Sequence, residues 1–295
     1  MLKRSALILL VAVMAVPAAA QDKLKVVATF SILADLVKNV GGDRVSVGAL
    51  VGPNGDAHVY QPTPGDAKTL AEASLVFANG LGFEGWISRL VKASGTKAPT
   101  IVATKGVKPR KAQDEHGHGR DADPHAWQSV ANAKVYVANI RDALVAADPA
   151  GKAAYEANAS AYLAKLDALD AEVKAAIDKI PAERRRIITS HEAFGYFAAA
   201  YGVTFIAPQG VSTEAAVSAK DVAKIISQIR KQKIPAVFLE NVTDERLLKR
   251  IGAESGARIG GTLHSDALTD EKGPAPTYLD MMRHNVRQLS EALTS

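Results

Sequence analysis

The sequence predicts an α/β fold of two lobes, each with a mainly parallel sheet flanked by helices, bridged by one long rigid helix. Short apolar runs alternate with amphipathic stretches toward both ends of the chain, which is typical of parallel sheets that carry helices on their faces. Between these regions, one apolar stripe recurs at helical spacing from Tyr155 to Ile180. The 295 residues are enough for two domains of ordinary size.

Eight short apolar runs are predicted to be strands, and five amphipathic stretches are predicted to be helices. The predicted strands are Leu24–Ala28, Val45–Val51, Leu75–Ala78, Thr100–Ala103, Arg186–Ser190, Thr204–Ala207, Ala236–Glu240 and Arg258–Leu263. The predicted helices are Ser31–Val40, Phe83–Ala93, Ser218–Lys231, Asp244–Glu254 and Thr277–Leu293.

The long helix has a start signal and a stop signal. Asp148 is suited to cap it, Pro149 to occupy its first position and Pro181 to end it. At 1.5 Å per residue this helix would be about 46 Å long, enough to run across two lobes. The predicted organisation is an N-terminal lobe over 21–147, the linking helix over 148–181 and a C-terminal lobe over 182–295.

Residues 1–20 are predicted to be a cleavable export leader, or signal peptide. Lys3 and Arg4 precede an unbroken apolar run of 11 residues, Ala6–Val16, which is too short to span a bilayer comfortably. Small residues in the pattern A-x-A follow, and cleavage is expected before Gln21. An uncleaved N-terminal anchor is the alternative.

Composition indicates a soluble globular protein and excludes several classes of function. The chain contains no cysteine, which excludes disulfides, Cys-based zinc sites, iron–sulfur clusters, Cys nucleophiles and a lipoprotein anchor. The formal charge is +5, of which Lys3 and Arg4 supply two, so the mature chain would carry +3. Basic and acidic residues are interspersed, so no nucleic-acid partner is expected. We expect a soluble, exported protein that is not lipid-anchored.

Two familiar motifs are present in form but fail in context. Gly80-x-Gly82-x-x-Gly85 follows a strand and resembles a dinucleotide fingerprint, but the next predicted strand ends in Thr and Lys instead of an acidic residue. A tight glycine turn is the better interpretation. His191-Glu192 begins like a zinc-protease motif, but Gly195 stands where the second histidine should be.

Histidine and aspartate side chains at strand ends and in turn-rich loops are the candidate functional residues. His58, His125, His191 and Asp266 occupy such places in both predicted lobes. Because ligands of open parallel sheets bind beyond the carboxyl ends of the strands, these side chains are expected to converge between the lobes. Their spacing matches no local metal motif, so surface histidines remain the alternative.

Two further histidines lie near these candidates. His264 is two residues from Asp266 and is a rival for the fourth position, with Asp266 favoured. His284 sits on a predicted helix between Arg283 and Asn285 and is expected to be exposed.

The segment 114–121 is polar, glycine-punctuated and rich in potential metal ligands. His116 and His118, with carboxylates nearby, are candidates for a second, weak metal site. Any such site should be much weaker than one between the lobes, because a flexible chain loses entropy on ordering. A solvated loop with two incidental histidines is the alternative.

Five segments together resemble one family, the solute-binding proteins of zinc and manganese ABC transporters, known as cluster A-I. They occur in the family's order and span almost the whole mature chain. The segments are 55–64 (GDAHVYQPTP), 79–84 (NGLGFE), 123–127 (DPHAW), 189–197 (TSHEAFGYF) and 265–268 (SDAL).

The resemblance implies two α/β lobes joined by a long helix, with a metal ion held between them and delivered to a membrane permease. The family's four ligands fall on His58, His125, His191 and Asp266. Zinc members resemble this chain in having histidine at the third position, where manganese members usually have glutamate. The segment 114–121 is similar to a short version of the His-rich loop of zinc members.

We therefore expect a periplasmic protein that binds Zn²⁺ with high affinity as cargo for an ABC importer, and not an enzyme. The expected partners are the permease and a periplasmic zinc metallochaperone, and the protein is expected to be a monomer. A manganese or iron binding protein of the same fold is the alternative. A secreted zinc hydrolase, with Glu192 or Glu240 as general base, and a metal-dependent adhesin are rivals from other classes.

Overall fold

The computed structural model describes residues 22–112, 122–214 and 216–294. The predicted leader and the candidate loop ligands His116 and His118 lie outside these residues. Its strands are β1 (Leu24–Phe30), β2 (Val45–Val51), β3 (Leu75–Ala78), β4 (Thr100–Val102), β5 (Arg186–Ile188), β6 (Thr204–Ile206), β7 (Ala236–Glu240) and β8 (Arg258–Leu263). Its α-helices are α1 (Ser31–Gly41), α2 (Pro64–Ala71), α3 (Ile87–Ser94), α4 (Val130–Ala147), α5 (Lys152–Asp178), α6 (Gly195–Tyr201), α7 (Ala219–Gln232), α8 (Glu245–Ser255) and α9 (Tyr278–Thr294).

Two four-stranded sheets of the same topology form the two lobes. The strand order is β2-β1-β3-β4 in one and β6-β5-β7-β8 in the other, and every strand pairing is parallel. This confirms the predicted fold class. In each sheet the strand order reverses between the two central strands, β1 and β3 in one and β5 and β7 in the other. The crevice beyond the carboxyl ends of these strands is the expected position of a ligand site.

The long helix α5 contacts both lobes. It packs against α1 and α4 of the N-terminal lobe and against α6 and α9 of the C-terminal lobe. The predicted stripe from Tyr155 to Ile177 is buried along it. Its 27 residues make it about 40 Å long, shorter than predicted. The reason is that Asp148 caps a separate 3₁₀ turn, Pro149–Gly151, by accepting from the Gly151 N–H at 3.2 Å.

The predicted helix over 83–93 begins later than expected, at Ile87. Gly80 and Gly82 have φ angles of +87° and +83°, and Leu81 between them has φ +55°. Because these left-handed conformations form a turn, the helix cannot begin until the chain has left it.

Helix α2 has a start signal but little apolar periodicity. Thr63 and Asp66 form a capping box in which each side chain accepts from the other's backbone N–H. Leu70 is the one buried residue of α2. Because so little of the helix faces the core, its sequence has no apolar stripe at helical spacing. None of the described helices is both long enough and apolar enough to cross a membrane.

Candidate metal centre

Four side chains that the sequence predicts as ligands converge between the lobes. Nε2 of His58 lies 3.2 Å from Oδ2 of Asp266 and 3.3 Å from Nε2 of His125. Nε2 of His191 lies 3.1 Å from Oδ2 of Asp266, whose Oδ1 is 3.6 Å from Nε2 of His125. One potential ligand atom from each residue lies within 4.8 Å of all the others. Among the described residues no other group of this kind occurs.

The parallel sheets account for this convergence. His58 follows β2, His191 follows β5 and Asp266 follows β8, so all three lie beyond the carboxyl ends of strands. His125 immediately precedes a 3₁₀ turn, Ala126–Gln128, that leads into α4. The side chains of His125, His191 and Asp266 are fully buried, and that of His58 is 4% exposed. The cluster therefore lies in the closed crevice between the lobes.

The charges in the cluster are arranged to receive a cation. Burial alone would raise the pKa of Asp266, but the adjacent His191 and His125 hold it well below its usual range. The carboxylate is therefore ionised, and its Oδ1 is buried with no hydrogen-bond partner among the described residues. An ionised, buried oxygen without a hydrogen donor is costly unless a cation or proton compensates it.

Buried carboxylates contact two of the three imidazoles at Nδ1, the ring nitrogen that faces away from the cluster. Asp123 Oδ1 accepts from the His125 backbone N–H at 3.0 Å and lies 2.9 Å from its Nδ1. Glu240 Oε2 lies 2.6 Å from Nδ1 of His191. Burial alone would lower the pKa of His191, but the carboxylates of Glu240 and Asp266 raise it well above its ordinary value. In the neutral ring these contacts favour the proton on Nδ1, so that Nε2 is the nitrogen that can bind a metal once it has lost its own proton.

The third imidazole, His58, is positioned through its backbone. Asp56 Oδ1 accepts from the His58 backbone N–H at 2.9 Å. Asp56 Oδ2 accepts from the Thr213 hydroxyl at 2.6 Å, across the crevice in the C-terminal lobe. The loop that carries His58 is therefore hydrogen-bonded to the opposite lobe.

Two side chains of the N-terminal lobe hydrogen-bond the residue that precedes Asp266. Trp127 Nε1 and Gln128 Nε2 donate to the Ser265 carbonyl at 2.9 and 2.7 Å. Tyr278 in turn donates its hydroxyl to the Trp127 carbonyl at 2.7 Å. Sequence reasoning missed these roles, because the partners lie more than 130 residues apart. The available signal was the Trp two residues after a candidate ligand.

An aromatic wall covers the cluster on the N-terminal side. The edge of Phe83 packs against His58 with ring centroids 4.7 Å apart, and Trp127 packs against His125 at 5.3 Å. Phe30 fills the space behind them, 4.9 Å from Phe83. Because such rings exclude water, the charges in the crevice interact more strongly than they would at the surface.

His264 lies outside the cluster. Its ring packs against His284 with centroids 4.9 Å apart. Burial and the neighbouring His284 lower the pKa of His264 to about 4, so it is neutral at pH 7. The expectation that His284 is exposed is wrong: it is 9% exposed, and its Nε2 lies 2.9 Å from the Thr262 carbonyl. The cause is that this face of α9 packs against β8.

The glycine motif forms a turn around the protein's own carboxylate. Glu84 Oε1 accepts from the Asn79 N–H at 2.7 Å, and its Oε2 accepts from the Gly80 N–H at 3.2 Å. In a dinucleotide site, such N–H groups would face a pyrophosphate. Here they bind Glu84, which agrees with the prediction of a tight turn.

The two proposed general bases are not arranged for hydrolysis. Glu240 lies behind His191, on the side of the ring away from Asp266, and its Oε1 accepts two backbone N–H groups. Glu192 lines a separate cavity of about 290 Å³ between α6, β6 and α7. Neither carboxylate is placed to activate a water molecule inside the cluster.

Two parallel-sheet lobes with a cluster of three imidazoles and one carboxylate between them define a solute-binding protein whose solute is a metal ion. The model of a family described as "Zinc-uptake complex component A periplasmic" matches residues 26–292. The chain belongs to this family, whose members are metal-binding components of ABC transporters. These are solute-binding proteins, which confirms the expectation that the protein is not an enzyme.

Similar proteins carry the names of three different metals. The iron-binding protein YfeA of Yersinia pestis is 38% identical over 275 residues, covering 93% of this chain and 88% of its own. The manganese ABC transporter substrate-binding lipoprotein PsaA of Streptococcus pneumoniae is 36% identical, covering 92% of this chain and 89% of its own. The structure of the periplasmic zinc-binding protein TroA of Treponema pallidum matches with a TM-score of 0.87 and 31% identity, covering 93% of this chain and all of that one.

Proposed function

We propose that this protein binds one Zn²⁺ ion between its lobes and delivers it to the permease of an ABC importer. The ligands are Nε2 of His58, His125 and His191 and the carboxylate of Asp266. The observation that supports this proposal is the spacing of the four groups: three separations that share the same ligand atoms, Nε2 of His58 to Nε2 of His125 and Oδ2 of Asp266 to Nε2 of His58 and of His191, are between 3.1 and 3.3 Å. A tetrahedral Zn²⁺ ion with bonds of 2.0–2.1 Å has ligand atoms about 3.3 Å apart.

The ligand types favour zinc over manganese. Three imidazole nitrogens and one carboxylate are a common set for Zn²⁺, which takes four ligands readily. Mn²⁺ prefers more oxygen ligands and binds most weakly in the series of first-row divalent ions. The cluster offers a single carboxylate, Asp266, and its other negative groups lie behind the imidazoles.

Manganese or iron is the second candidate. It is supported by the names of the relatives above, which include an iron-binding and a manganese-binding protein at 38% and 36% identity.

A competitive titration separates the two candidates. Protein purified without added metal would be loaded with Mn²⁺ and titrated with Zn²⁺, and the reverse, while bound metal is measured by mass spectrometry. We expect one tight Zn²⁺ site per chain and Mn²⁺ binding weaker by orders of magnitude. If Mn²⁺ displaced Zn²⁺ at equal concentration, the manganese candidate would replace the zinc candidate.

We further propose export to the periplasm with cleavage before Gln21, which the mass of the mature protein would test. Several relatives are named lipoproteins, so the expectation that this protein is not lipid-anchored stays a prediction. The monomeric state, the metallochaperone and the weak site at His116 and His118 also stay predictions. Calorimetry on a variant lacking 114–120 tests the last of these: we expect the tight site to remain and a weak one to disappear.

A further inference from the structure

Glu240, the last residue of β7, is a buried carboxylate with no role in the ligand set. It is 1% exposed. Its Oε1 accepts from the backbone N–H groups of Ser190 and His191 at 2.7 and 3.0 Å. Its Oε2 lies 2.6 Å from Nδ1 of His191 as a carboxylate–imidazole ion-pair contact, and both atoms are buried with no hydrogen-bond partner of ordinary geometry among the described residues. Glu240 therefore contacts both the backbone and the ring of one candidate ligand.

This contact decides which nitrogen of His191 faces the cluster. A carboxylate accepts hydrogen bonds but donates none when ionised, so it stabilises the proton on Nδ1. When Nε2 loses its proton to make room for a metal ion, the lone pair is left on this nitrogen, which faces the cluster 3.1 Å from Oδ2 of Asp266. The negative charge behind the ring also makes Nε2 a stronger donor to a cation.

We propose that Glu240 is a positioning residue of the metal site: it fixes the ring orientation and tautomer of His191 and strengthens its Nε2 as a ligand. The inference rests on the proposed role of His191 as a metal ligand. Asp123 makes the corresponding contact with His125 from a position two residues earlier in the chain, at 2.9 Å. Nδ1 of His58 has no such carboxylate among the described residues, so the three imidazoles are not equivalent.

Glu240→Gln tests this role because it changes the chemistry with little change of shape. The amide must direct either its oxygen or its NH₂ group at the two backbone N–H donors. If the oxygen faces them, the NH₂ group faces Nδ1 and favours the tautomer whose Nε2 carries the proton and cannot bind a metal. We expect Zn²⁺ affinity to fall about 10- to 100-fold, as is typical when a partner behind a ligand is lost.

Glu84→Gln is the matched control. Glu84 is also a buried glutamate, 5% exposed, near the ends of the two central strands of its lobe. It accepts from Thr29, Asn79 and Gly80 and from none of the candidate ligands. We expect this variant to retain the affinity of the wild type. Equal losses in the two variants would overturn the inference.

The His191→Ala background distinguishes positioning from general loss of structure. If Glu240 acts through His191, then Glu240→Gln has no further effect on affinity once the imidazole is absent. Additive losses would overturn the inference. Nitrogen-15 NMR of the His191 ring in the wild type provides the spectroscopic readout: we expect the proton on Nδ1, and a proton on Nε2 in the zinc-loaded protein would contradict the proposal.

Two further measurements keep the outcomes separable. If Glu240→Gln does not fold, as judged by circular dichroism, Glu240→Asp replaces it in both backgrounds; the shorter carboxylate retreats from Nδ1, and we expect a smaller loss that also vanishes without His191. If His191→Ala alone leaves Zn²⁺ affinity unchanged, the proposed ligand set fails. If His191→Ala weakens binding but neither Glu240 variant does, only the inference fails.

Discussion

Each lobe places a buried glutamate near the carboxyl ends of its two central strands, but the two carboxylates have different partners. In the N-terminal lobe, Glu84 links the two central strands by accepting from Thr29 of β1 and from the backbone that follows β3. In the C-terminal lobe, Glu240 at the end of β7 accepts from the backbone that follows β5. Both carboxylates thus satisfy N–H groups in the crevice beyond the central strands, where parallel sheets bind ligands.

The difference lies in what else each carboxylate contacts. Glu84 receives only backbone and hydroxyl donors, and burial raises its pKa above the usual range in spite of these hydrogen bonds. Glu240 contacts, in addition, the imidazole of His191, whose raised pKa reflects the carboxylates of Glu240 and Asp266. Glu84 therefore only links the central strands of the N-terminal lobe, whereas Glu240 links those of the C-terminal lobe and also adjoins the metal site.

The largest expected effects come from the candidate ligands themselves. Replacing any one of His58, His125 and His191 by Ala should weaken Zn²⁺ binding by more than about 100-fold. The loss of a ligand costs more affinity than the loss of a carboxylate that only contacts a ligand. Asp266→Ala should cost less, since water can take an oxygen position. Chelator competition measures all four affinities.

His264→Ala is the control for these variants. His264 is also buried and lies two residues from Asp266, but its ring packs on His284 outside the cluster. The Zn²⁺ affinity of the His264→Ala variant should stay near that of the wild type. A loss as large as that of the ligand variants would show that the ligand set is wrongly assigned.

A smaller effect, on stability alone, is expected at Glu84. In Glu84→Gln the amide cannot accept from all three donors, so a buried donor is left unsatisfied at a cost of about 1–3 kcal/mol. Urea unfolding of the metal-free protein measures this change in the free energy of unfolding. Unchanged stability together with lost metal affinity would reverse the roles assigned to the two glutamates.

A separate effect, on the pH dependence of stability, concerns a third buried carboxylate, Asp35 on α1, which accepts from the Tyr278 N–H at the start of α9 at 2.9 Å. Burial raises its pKa from 3.8 to about 6; Lys38 lowers it and Asp280 raises it. The folded state therefore holds this proton more tightly than the unfolded state. The contribution of Asp35 to stability is present at about pH 4 and is lost as the pH rises through about 6.

Asp35→Asn removes this titration. We expect the stability of the variant relative to the wild type to be higher at pH 7 than at pH 4, measured by urea unfolding at both values. A difference between the two proteins that does not change with pH would contradict the raised pKa.

The strands and most helices were predictable because they are continuous apolar patterns. Four strands have the predicted bounds, and the other four end within two residues of them. Strand ends in parallel sheets also account for the position of His58, His191 and Asp266, since the fold alone brings these ends together. His264 was a rival for the fourth position; Asp266 was favoured over it from its place after a predicted strand, and the family resemblance implied the same choice.

Contacts between distant segments were not predictable. Trp127 and Gln128 bind the Ser265 carbonyl across the crevice, and no local pattern marks that pairing. Short helices such as α6, with seven residues, have too few turns for an apolar stripe. For Glu240 a signal existed: a charged residue that ends an otherwise apolar strand, Ala-Val-Phe-Leu-Glu, needs a buried partner.

The central claim is that one Zn²⁺ ion binds three imidazoles and one carboxylate between the lobes. X-ray absorption at the zinc edge, on protein loaded with one equivalent of Zn²⁺, tests it most directly. We predict four ligands, with bond lengths of about 2.0–2.1 Å and outer-shell scattering from three imidazole rings. A shell dominated by oxygen, or with scattering from at most one imidazole, would contradict the account.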